Sequence, residues 1–120
     1  MKRVLMVAYQ FPPVGGSGVQ RTLKFVKYLP GTGWMPEVLT RDDGRMGQRD
    51  DTLLAEVPDN VRLIRTFAWD LTALPWKFAL VGKFIAWKLL IPDGEILWMH
   101  GALRAARRRL AEGGVDALYT

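Results

Sequence analysis

The feature that most constrains this chain is Val4–Tyr9, an unbroken apolar run, VLMVAY, ended by the proline pair Pro12-Pro13. Short runs of this kind form strands buried on both faces, the usual state in a parallel sheet covered by helices. From Val19 the period changes. Val19, Leu23, Val26 and Leu29 recur at three- and four-residue steps, which is one apolar face of a helix, with Ser17 as its expected N-cap. Pro30, Gly31 and Gly33 then stop it.

The pattern repeats downstream. Pro36–Thr40 reads as a second strand, Arg41–Asp51 as a polar surface loop, and Asp51–Glu56 as a short helix. Val61–Thr66 is a third strand, in which Val61 and Leu63 alternate with Arg62. Trp98–Ala111 is a helix, Gly113-Gly114 its stop, and Val115–Tyr119 a fourth strand. The order β-α-β-α-β, joined by right-handed crossovers, predicts an α/β fold. Its sheet is parallel, doubly wound and Rossmann-like, with about four strands. Ligands of such sheets bind outside the carboxyl ends of the strands. The chain stops one residue after the fourth strand, so the expectation is a fragment or a truncated domain.

Length and composition narrow the function classes. The 120 residues suffice for one domain, and 49% apolar with 24% charged residues argues against disorder. The absence of cysteine excludes a disulfide framework, a thiolate metal site and cysteine catalysis, and fits a reducing compartment. Met1-Lys2-Arg3 resembles the charged start of a signal peptide, but the apolar run after it is too short and no cleavage site follows. A net charge of +5 favours anionic partners: nucleic acid, phosphorylated small molecules or anionic lipid.

Gly15, Gly16 and Gly18 lie between the first strand and its helix. Glycines there let the backbone approach a ligand, and the free N–H groups of the helix start favour an anion such as phosphate. A tight strand-to-helix connection would call for glycine as well. Two specific phosphate motifs fail here. The Walker pattern needs a Lys directly after the glycines, and none comes before Lys24. The dinucleotide fingerprint needs a small third residue, but Gly16-Ser17-Gly18-Val19-Gln20-Arg21 puts Arg21 there. The insert Gln10–Val14 further separates strand from glycines, and Asp42 only weakly mimics a ribose-binding acid. A nicotinamide enzyme is not supported.

The segments YQFPPVGGSGVQR, KFVKYLPGTGWMPEVLT, IPDGEILW and the terminal VDALYT resemble, in order, the N-terminal domain of glycosyltransferase family 4 enzymes, which have the two-domain GT-B architecture. The resemblance spans nearly all of the chain. It implies an incomplete, Rossmann-like acceptor-side domain at residues 1–120, with the donor-binding C-terminal domain and its Glu-x7-Glu motif absent. The implied reaction is hexosyl transfer, with retention, from a nucleotide-sugar to a glycan or lipid-linked acceptor, as in polysaccharide biosynthesis. The isolated chain is expected to be inactive, and no catalytic residue is assigned. By position, Gly15, Gly16 and Gly18 would face the donor diphosphate, while Gln20 and Arg21 would contact the acceptor. No cofactor or metal is implied, since the nucleotide-sugar is a substrate. The implied location is cytoplasmic, with peripheral contact at the inner face of the membrane.

Phe67–Ile91 holds the other informative pattern. Pro75 suits a first helical turn and Pro92 forbids continuation, giving a helix over Pro75–Leu90. Leu74, Phe78, Val81, Ile85 and Leu89 share one face, and Trp76, Lys83 and Trp87 the opposite one. Lys77, Lys83 and Lys88 break the run too often for a span of roughly 18–20 apolar residues. An interfacial helix, or packing against another part of the protein, fits this pattern. The alternative function is therefore a non-catalytic module that binds a membrane surface or partner through Trp76, Lys83 and Trp87. Arg104, Arg107, Arg108 and Arg109 read as a solvated basic helix face. No nucleic-acid recognition motif accompanies them. His100, the only histidine, reads as a surface residue.

Overall fold

A computed structural model describes residues 1–42, 50–67, 80–81, 84 and 96–120. In chain order these form β1 (Lys2–Val7), α1 (Ser17–Tyr28), a 3-10 turn (Leu29–Thr32), β2 (Trp34–Arg41), α2 (Asp51–Ala55), β3 (Arg62–Thr66), α3 (Ile96–Ala111) and β4 (Ala117–Tyr119). The strands make one sheet in the order β3-β2-β1-β4, and every neighbouring pair is parallel. The fold is therefore α/β, doubly wound and Rossmann-like, as the strand–helix alternation predicts. β1 is central, with Val4 opposite Pro36 on one side and Ala117 on the other.

The unbroken apolar character of β1 follows from its two covered faces. Val4 and Met6, with Val38 of β2, pack beside Val26 of α1, Phe11 and Val61. Leu5, with Leu39, packs on the opposite face against Trp98 and Ala102 of α3. Alternate side chains of one strand thus enter two cores, so neither face leaves room for a polar residue. Val14, Val19, Leu23 and Leu53 form a third cluster, which ties the loop after β1 to α1 and α2.

Element ends differ from the sequence expectation for local reasons. Ser17 is the first residue of α1 and not its cap. Gly16 holds the cap position at φ 128°, ψ 166°, and no side chain caps the helix. That backbone region is essentially restricted to glycine. β2 extends over Trp34–Arg41 and tolerates Pro36 because β3 begins to pair only at Glu37. β4 begins at Ala117 and not at Val115. Asp116 holds the approach instead: its N–H donates to the Arg3 carbonyl at 2.8 Å, and its carboxylate accepts from the Arg3 N–H at 2.8 Å. α3 ends at a glycine pair with φ of +76° and +75°.

One expectation for α3 is corrected. Arg104, Arg107 and Arg108 are exposed, but Arg109 is buried. It shares the inward face with Trp98 and Ala102 and reaches Glu37 of β2, which is buried as well. Arg109 Nη2 donates to Glu37 Oε1 at 2.8 Å, Nε donates to Oε2, and Nη1 donates to the Gly113 carbonyl at 2.8 Å. The guanidinium hydrogen bonds hold the Glu37 carboxyl below the usual carboxylate range, against the opposing effect of burial. Composition does not tell these arginines apart, since helical phase decides which one turns inward.

His100 is exposed, as expected. Trp76, Lys83 and Trp87 lie outside the described residues. Among the described residues, no helix is long and apolar enough to cross a membrane.

Candidate functional site

The sheet order reverses at β1: the chain leaves through α1 to β2 on one side and returns to β4 on the other. In open parallel sheets the crevice at such a reversal, outside the carboxyl ends, is where ligands bind. Here it is a cavity of about 330 Å³. The segment after β1 supplies Tyr9 and Gln10, the first turns of α1 supply Gly18 and Arg21, and the end of β4 supplies Tyr119 and Thr120.

The three glycines divide by role. Gly16 serves the backbone, because its φ of +128° strains any residue with a side chain. Gly18 is different. A Cβ there would meet only Gln10 Oε1 at 3.8 Å, an ordinary contact. The protein's own packing does not require glycine at position 18, whereas a ligand lying against the helix start would. Gly15 and Gly16 do not line the crevice. Arg21 does, and its neighbour Gln20 is exposed and outside the lining. The structure thus brings together Gly18 and Arg21 of the residues expected from sequence.

Sequence reasoning did not single out Tyr9, Gln10, Tyr119 or Thr120. The only signal for them is position, since each sits just past or at the end of a parallel strand. The lining side chains carry hydroxyl, amide and guanidinium groups but no carboxylate or imidazole. With the start of α1, which no side chain caps, beside it, the arrangement suits holding an anionic or polyhydroxyl ligand. Among the described residues, no group of three or more His, Asp or Glu is placed to hold a metal ion.

A second polar group stands at the ends of β2 and β3. The Arg41 guanidinium lies over the Tyr9 ring, 4.8 Å from its centroid, and Nη1 donates to the Tyr9 hydroxyl. Tyr9 meets Trp98 edge to face at 5.4 Å, and Trp98 Nε1 donates to Thr66 Oγ1 at 2.7 Å. Arg65 Nη2 donates to the Pro12 carbonyl at 2.6 Å, which anchors the proline loop to β3. These contacts fix Tyr9 from its outer side and leave its ring as one wall of the crevice.

Comparison with protein-family models gives no match, and comparisons with curated proteins and with solved structures give none either.

Proposed function

We propose that the chain is the acceptor-side part of a retaining glycosyltransferase, which moves a sugar from a nucleotide-sugar donor to a glycan or lipid-linked acceptor. The observation that carries the reading is the convergence of Gly18 and Arg21 on the crevice at the sheet reversal. The resemblance of the loop and of the following segments to family 4 glycosyltransferases adds the reaction class. In this reading Gly18 admits the donor diphosphate close to the start of α1, and Arg21 contacts the acceptor. Donor-side groups come from a further domain, and the 120-residue chain alone transfers no sugar.

The test uses the full reading frame that contains this chain. Incubated with a panel of UDP-, GDP- and dTDP-sugars and an isoprenoid-diphosphate-linked acceptor, it releases nucleoside diphosphate and leaves a product of retained anomeric configuration. Arg21→Ala lowers kcat/KM by about tenfold or more, the scale of one lost charge-assisted hydrogen bond. A frame that lacks a downstream Glu-x7-Glu and releases nothing from any donor overturns the reading.

A membrane-surface role for the Trp76, Lys83 and Trp87 face is the second reading, and it sets the address at the cytoplasmic side of the membrane. Leu80 and Val81, within the same stretch, are 80% and 56% exposed, and exposed apolar groups beside lysines suit an anionic interface. Sedimentation with anionic phospholipid vesicles decides it. Binding lost in Trp76→Ala/Trp87→Ala supports the contact, and unchanged binding removes it.

A further inference from the structure

Arg109 and Arg41 differ in how fully their guanidinium groups are engaged. Arg109 uses one edge of its guanidinium, Nε with Nη2, to take both oxygens of Glu37, and its Nη1 goes to a backbone carbonyl. Arg41 has its Nη1 engaged in the same manner, on the Tyr9 hydroxyl. Its Nε is buried and has no acceptor. Among the described residues nothing accepts from its Nη2 and no carboxylate pairs with it. Arg65, nearby, differs again, with donors placed on the Pro12 and Arg41 carbonyls.

We propose that Arg41 is an oxyanion subsite, whose Nε–Nη2 edge takes two oxygens of a phosphate group. The edge is a planar fork whose two parallel N–H bonds match a pair of oxygens on one centre. Its plane is held in advance by the Tyr9 ring beneath it and by the bond from Nη1. A buried guanidinium donor without an acceptor is unfavourable, and an incoming oxyanion relieves that. The Tyr9 hydroxyl accepts from Nη1, away from this edge, and so positions the fork without itself meeting the ligand. A phosphate, with its higher charge and three acceptor oxygens, meets this two-donor fork more strongly than a singly charged carboxylate does. Arg41 ends β2, at the carboxyl edge of the sheet where ligands of this fold gather. The subsite rests on this geometry and not on the glycosyltransferase reading.

The experiment records arginine Nε–Hε resonances of the ¹⁵N-labelled 120-residue chain, with Arg41 assigned by its loss in Arg41→Lys. Titration with inorganic phosphate and with pyrophosphate moves the Arg41 resonance saturably, and acetate moves it far less. Tyr9→Phe, which keeps the ring and removes the hydroxyl, weakens phosphate binding by about threefold to tenfold. It also tests the subsite if Arg41→Lys fails to fold. Arg21→Ala leaves the shift in place, which separates this subsite from the crevice and from the proposed sugar transfer. Dihexanoyl phosphatidic acid below its micelle concentration supports the subsite as well. Binding tighter than that of inorganic phosphate would identify a lipid phosphate as the source. An Arg41 resonance unmoved by phosphate and pyrophosphate overturns the proposal. So does an equal response to acetate, or loss of the response in Arg21→Ala.

Discussion

Gly16 and Gly18 are two residues apart and have opposite reasons for being glycine, so they give opposite outcomes with one substitution. Gly16→Ala forces a side chain into a backbone region that essentially only glycine occupies and costs on the order of 1–3 kcal/mol. Gly18→Ala meets no close contact and lies within a helix, where Ala is favoured over Gly by up to about 1 kcal/mol. Urea unfolding of the two variants therefore gives a lowered midpoint for the first and an equal or raised one for the second. Ligand affinity reverses the order of merit, because the new methyl of Gly18→Ala stands in the crevice. At Glu37 the matching experiment is a pH titration. Its carboxyl sits below the usual range in the folded protein, so its stabilising contribution is fully present above about pH 4.3. That contribution fades as pH falls through the lower folded value. Glu37→Gln removes this part of the acid dependence, and Arg109→Met, which leaves a buried carboxylate unpaired, costs about 3–5 kcal/mol at neutral pH.

At the scale of elements, α3 shows how one helix separates packing from surface. Ala102 is buried with Leu5 of β1 and Leu39 of β2, and Leu103, one residue on, is 45% exposed. Ala102→Leu overfills that contact and costs about 1–3 kcal/mol, whereas Leu103→Gln stays within about 0.5 kcal/mol. Thermal unfolding of the pair reads the helix phase directly. The existence and order of α3 and its neighbours were legible in the sequence, because hydrophobic period is a property of consecutive residues. Its ends were less so. The start of β4 depends on Asp116 meeting Arg3, a contact that no local window contains. The inward turn of Arg109 follows from its helical phase with Trp98 and Ala102, but its partner Glu37, 72 residues away, lies outside any local window. A polar residue inside a strand pattern, such as Glu37 amid Val38 and Leu39, was a further sign of a buried cation opposite.

For the whole molecule, the fold class followed from three apolar strands separated by helical periods, and the candidate crevice followed from the glycines after the first of them. Its opposite wall did not, because Tyr119 and Thr120 reach the site only through the parallel pairing of β4 with β1. Arg41 was equally hidden, since the alternation that puts it beside Tyr9 carries no mark of its function.

The pairing of β1 with β4 has a consequence in time. β1 is completed by β4, and the Arg3–Asp116 contact closes a separation of 113 residues. Contacts of such range are formed late and slow a fold, because the intervening chain must be ordered before they are rewarded. On the ribosome, β1 emerges early and waits with one edge unpaired until β4 follows. The crevice forms only once β4 is available, so the ligand site appears after the strands β1–β3 that support it.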